Sequence, residues 1–88
     1  HARIERTILA NADGALEIHD LKTRVAARAT FIEFHMVVSA ETTVAASHAI
    51  CDRIEHALQA EIPSVRVIIH VEPDHEAKND ATAASPSL

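Results

Sequence analysis

Glycine is nearly missing from this sequence: Gly14 is the only one in 88 residues. That excludes the Gly-rich loops that cradle phosphates. Cysteine is as scarce. Cys51 stands alone, so no internal disulfide can form, which fits a reducing cytosol. Trp and Tyr are absent and Phe occurs twice, so the core must come from Ile, Leu, Val and Ala. Basic charge is in deficit: 8 Lys and Arg against 13 Asp and Glu leave a formal net charge of −5. With no basic stripe, a nucleic-acid partner is not expected. No apolar run reaches the roughly 18 residues of a membrane-spanning helix, and no secretory signal is visible. Ser39, Ser47 and Ser64 lie in no nucleophile motif. A domain this small is not expected to enclose a deep pocket, and the chain is not expected to be an enzyme. His1 in place of a Met implies a fragment or a processed start.

What the chain does have is histidine, seven in all. It also has five segments with clear periodicity. Ile4, Ile8, Leu9 and Ala12 recur at helical spacing over residues 1–12, ahead of the stop signal Asn11-Ala12-Asp13-Gly14. Residues 15–24 and 30–38 read as the arms of a hairpin. The second arm is apolar on both faces: Ile32, Phe34, Met36 and Val38 on one, Phe31 and Val37 on the other. A strand of that kind is central, with neighbours on both sides. Residues 42–61 predict the main helix, capped by Thr42 or Thr43 and stopped by Pro63, with Ser47, Ile50, Cys51, Ile54, Ala57 and Leu58 on its buried stripe. Residues 65–72 predict a third strand, with Val65, Val67, Ile69 and Val71 facing one way and Arg66, Ile68, His70 and Glu72 the other. Strand, helix, strand implies a right-handed parallel crossover. The folded domain is then residues 1–72, near the lower size limit for a self-sufficient core, so help from dimerisation or metal is expected. Residues 73–88 turn polar and small and read as a disordered tail.

His19 and His35 lie on the two hairpin arms. In an antiparallel pair the numbers of facing residues add to a constant. For these two it is 54, which centres the turn near Ala27 and makes the imidazoles face each other. His70 and Glu72 share a face of the next strand. Four side chains then converge on one sheet face, and a set of imidazole and carboxylate suits a borderline divalent ion such as Zn²⁺. A lone strand histidine is ordinarily just a polar residue; the convergence is what singles these out. His48, in the first turns of the main helix, is a fifth candidate. The helix should cover the opposite sheet face, so His48 must reach around the sheet's end, meet a partner subunit's site, or be an ordinary surface histidine. His1, His56 and His75 have weaker claims. Cys51 reads as a small core residue. Asp20 is expected to point away from His19, in a structural or ion-pairing role. Lys22 and Arg24 read as strand-surface charges paired with acids of the helix.

The string His19-Asp20-Leu21-Lys22-Thr23-Arg24, the strand Phe31-Ile32-Glu33-Phe34-His35, the helical His48 and the ending Ile69-His70-Val71-Glu72-Pro73 together resemble the C-terminal cytosolic domain of cation diffusion facilitators, bacterial zinc exporters above all. The resemblance spans residues 4–73. It implies an α+β, ferredoxin-like (metallochaperone-like) α-β-β-α-β sandwich with a three-stranded mixed sheet. It also implies a homodimer below a transmembrane domain that is absent from this chain, hence a cytoplasmic location on an integral membrane protein. The metal ligands it implies are His19, His35, His48, His70 and Glu72, holding Zn²⁺, or Cd²⁺, Fe²⁺, Co²⁺ or Mn²⁺, as one ion or a close pair. Glu72 stands where zinc-exporting relatives often carry Asp. Ala27 stands where members often have a hairpin Gly. The implied function is metal sensing: a bound ion shifts the dimer toward a closed state that favours efflux. A dimerisation module with incidental metal binding and a stand-alone soluble metal-binding protein are the competing readings.

Overall fold

A computed structural model describes residues 2–74. Helix α1 (Ala2–Ala10) is followed by strands β1 (Glu17–Ala26) and β2 (Ala29–Val38), helix α2 (Val44–Glu61) and strand β3 (Val65–Pro73). The sheet order is β1-β2-β3, with β1 antiparallel and β3 parallel to the central β2. This is the expected α-β-β-α-β layout with a mixed three-stranded sheet, and the expected disordered tail lies, from residue 75 on, outside the described residues. Pro73 does not open that tail: it ends β3, opposite Val38.

Both helices cover one sheet face. Ile8 of α1, Ile32, Phe34, Met36 and Val38 of β2, and Ile50, Ile54 and Leu58 of α2 form one buried cluster. The spacing of Ile50, Ile54 and Leu58 sets one stripe of α2 against the sheet. Thr43 caps the helix, its Oγ1 accepting from the Ala46 N–H at 3.0 Å. The helix closes with the Ile62 N–H donating to the Leu58 carbonyl at 2.8 Å, just ahead of Pro63. Helix α1 docks on the end of α2 through Glu61, which accepts from Thr7 Oγ1 at 2.7 Å and from Arg3 Nε at 3.1 Å. Of the apolar residues at helical spacing, Leu9 is 57% exposed, and Ile8 alone of this helix is fully buried.

Gly14 is not the cap of α1, which ends four residues earlier. It sits in the turn into β1 at φ 102°, where a Cβ would stand 2.9 Å from Ile50 Cδ1. The turn thus needs glycine twice over, for the backbone angle and for the space.

The hairpin is not the symmetric one expected. Its two-residue turn is Ala27–Arg28, with Ala26 facing Ala29, and Ala27 takes φ 55° without being glycine. In that register Lys22 faces Glu33 and Arg24 faces Phe31. Continued unchanged, it would set His19 against Met36 on the core face. A β-bulge between His19 and Lys22 corrects it by one residue, and beyond the bulge His19 faces His35 and Glu17 faces Val37. Asp20, at φ 58°, carries the backbone through. The facing of the two histidines is therefore right, but a bulge produces it, not a turn centred on Ala27.

Candidate metal centre

The sheet face turned away from the helices carries Phe31, Glu33 and His35 from β2, His19, Lys22 and Arg24 from β1, and Arg66, Ile68, His70 and Glu72 from β3. Parallel pairing sets His35 beside His70, and Val37 beside Glu72. At the end of the sheet away from the hairpin turn, ligand atoms of His19, His35 and Glu72 all lie within 4.8 Å of one another. His35 Nδ1 is 2.5 Å from Glu72 Oε2, and His19 Nε2 is 3.6 Å from Glu72 Oε1. The His19 and His35 rings meet edge-on with centroids 5.3 Å apart. Glu72 is held below the usual carboxylate range, first by its hydrogen bond with His35 and then by the nearby charges of His35 and His19. It stays anionic and so is ready to act as a ligand.

His70 stacks on His35 at 4.7 Å between centroids, but its Nε2 is engaged by Glu33 Oε2 at 2.7 Å. It flanks the three without joining them. His48 stays on the helix side. Its Nε2 lies 3.4 Å from Asp52 Oδ2 one turn on, and it lines a groove of 570 Å³ between α2 and β3 with Cys51, Ile69 and Val71. Within one chain the fold brings together His19, His35 and Glu72, sets His70 beside them and leaves His48 on the other layer. His56 is exposed on α2, and His1 and His75 lie outside the described residues.

Three side chains depart from what alternation implies. Asp20 does not point away from the site: its Oδ2 lies 3.5 Å from His35 Nε2, because the bulge breaks the alternation of β1. Lys22 pairs with Asp20 at 3.9 Å and not with an acid of the helix. The Arg24 guanidinium lies over the Phe31 ring at 4.5 Å. Only a bulge signal could have placed Asp20. A residue type that tolerates positive φ, sitting mid-strand beside a histidine, was the available one.

Two imidazoles and a carboxylate form an N₂O donor set that fits a divalent ion of the zinc type, with a position left for water or another ligand. A match across residues 1–74 to the family described as cation efflux protein, cytoplasmic domain, decides what kind of chain this is. The chain belongs to the cation efflux family. Its relatives include an uncharacterised transporter of Synechocystis, 37% identical over 67 residues, and the cation-efflux pump FieF of Yersinia pestis, 30% identical over 66. These matches cover 76% and 75% of the chain but 22% of each relative's length, so this cation efflux domain spans about a fifth of the curated relatives it matches. Among solved structures it is similar to CzrB, a candidate zinc transporter, in its zinc form: 45% identity, TM-score 0.77, 85% of each chain covered. The metal-bound C-terminal domain of the Thermotoga maritima CzcD transporter, at 22% identity and TM-score 0.68 over 82% of this chain and 88% of that one, shares the fold.

Proposed function

We propose that this cation efflux domain is the metal-sensing part of a divalent-cation exporter, with zinc its principal ion. The observation that carries the reading is the meeting of His19, His35 and Glu72 on the sheet face that neither α1 nor α2 covers. The zinc-form structure of CzrB, 45% identical, supports zinc over the other divalent ions. His19, His35 and Glu72 would hold the ion; His70 stands in reserve beside them, freed if Glu33 releases it. An ion there adds positive charge to a chain whose formal net charge is −5.

The same face exposes Ile68, 57% accessible, beside Phe31. A second copy of the chain is the partner we assign to it, giving a homodimer whose two arms hang from a transmembrane domain outside this sequence. His48, which its own fold holds away from the three ligands, is then available to a partner subunit. Neutralising Glu72 and its neighbours at such an interface would lower repulsion and shift the population toward a closed pair. Calorimetric titration of the chain with Zn²⁺ tests the site. The expected result is saturable binding that the His19→Ala and Glu72→Ala variants lose; equal binding by those variants would remove it. Small-angle scattering tests the switch: zinc is expected to reduce the dimer's radius, and an unchanged radius would leave a dimerisation module.

A further inference from the structure

An imidazole cannot give both nitrogens to one ion, and His35 has a carboxylate at each. Its Nδ1 faces Glu72 at 2.5 Å and its Nε2 faces Asp20 at 3.5 Å. A neutral ring carries one N–H and one lone pair, and neither carboxylate can donate. The two sides differ in what else they hold. On the Nδ1 side stand Glu72 and, beyond it, His19, the other two donors of the centre. On the Nε2 side stands Asp20, with Lys22 3.9 Å behind it.

We propose that Asp20 is a positioning residue for the metal centre: when an ion displaces the Nδ1 proton that His35 otherwise donates to Glu72, the ring keeps its one N–H at Nε2, facing Asp20, which accepts it and so holds the tautomer that presents the Nδ1 lone pair to an ion shared with His19 and Glu72. The inference rests on the reading that these three residues bind a divalent metal, and adds to it which nitrogen of His35 is used and what holds the ring. Backbone geometry supports it. Asp20 reaches this face only because β1 spends an extra residue and a positive φ of 58° at that point. The same bulge that turns His19 onto the face sets a carboxylate behind the neighbouring ring, so one irregularity of β1 supplies both a ligand and the support for a second. Lys22 lies on the far side of Asp20, its Nζ 3.9 Å from Asp20 Oδ2. A ligating histidine whose other nitrogen is so held binds metal more tightly, and losing the carboxylate costs about 10–100-fold in affinity.

Asp20→Gly removes the carboxylate while suiting the left-handed backbone, and Asp20→Asn keeps shape and a neutral acceptor. Zinc titration of the whole chain is expected to show affinity falling about 10–100-fold in Asp20→Gly and less in Asp20→Asn, with the thermal midpoint of the metal-free proteins little changed. Two-bond ¹H–¹⁵N spectra of the zinc-loaded chain should show His35 metal-bound at Nδ1 and protonated at Nε2. Coordination of His35 through Nε2, or equal zinc affinity in the unaltered chain and both variants, would overturn the role given to Asp20. An unaltered chain that binds no zinc would instead fail the functional reading on which the role stands.

Discussion

Protonation separates two kinds of residue in this domain. Glu72 is a carboxylate kept ionised by its histidine neighbours, as a ligand must be. Cys51 is the reverse. Burial raises the pKa of its thiol above the ordinary value, and the charges of Glu55 and Asp52 on the same helix raise it further. The thiolate is what reacts or binds metal, so Cys51 is set up as a small apolar residue packed against the core, as its place on the α2 stripe implied. At pH 7.5, Ellman's reagent is expected to modify it at least about ten times more slowly than free cysteine, with the difference vanishing in denaturant. A rate equal to that of free cysteine in the native chain would show an accessible thiol.

At the scale of elements, the hairpin carries both the strain and the chemistry. Ala27 occupies the left-handed region at φ 55°, which costs a non-glycine residue about 1–2 kcal/mol. Glycine would avoid that but lose about 0.5–1 kcal/mol of unfolded-state entropy. Ala27→Gly should therefore stabilise the domain by about 0.5–1 kcal/mol in urea melts, and a loss of stability would contradict the strain. The hairpin also marks how far the sequence can be read. The order of elements, the central β2 and the stripe of α2 follow from periodicity, because burial on one face repeats along each of them. The bulge leaves no periodic trace. The sum for His19 and His35 gave their facing correctly while hiding the extra residue at Asp20, so Asp20 was assigned to the wrong face. The two helices meet through a different device, Glu61, whose pKa is held below its ordinary value by hydrogen bonds from Thr7 and then Arg3. A depressed carboxylate stabilises the fold above its unfolded pKa and loses that contribution as pH falls through the folded one. Metal-free protein should weaken on acidification below about pH 4.5, and Glu61→Gln should flatten part of that slope. Glu72, shifted the same way, accounts for a remainder. A slope unchanged by Glu61→Gln would mean that the α1–α2 contact adds nothing.

For the whole molecule, the decisive feature is that, among the described residues, one sheet face is covered by the helices and the other is open. The core is a single layer between sheet and helices, and its fully buried large side chains are Phe34, Ile8, Ile32, Met36, Ile54 and Leu58. A core of that size leaves a small stability margin. His19, His35 and Glu72 come from three different strands, so only the folded sheet holds them together. An ion bound by all three then favours the folded state over the unfolded one by mass action. At free zinc about 100 times the dissociation constant, the gain is about 2.7 kcal/mol. For a domain of this length that corresponds to a rise in Tm of roughly 10–20 °C. Thermal melts of the chain with and without Zn²⁺ check it, with His19→Ala/Glu72→Ala as the control. The double variant is expected to melt at the same temperature with or without the ion. An equal rise in the variant would place the binding elsewhere. A rise that grows with protein concentration would show that the open face closes on a second copy as the ion binds, coupling the site to the dimer.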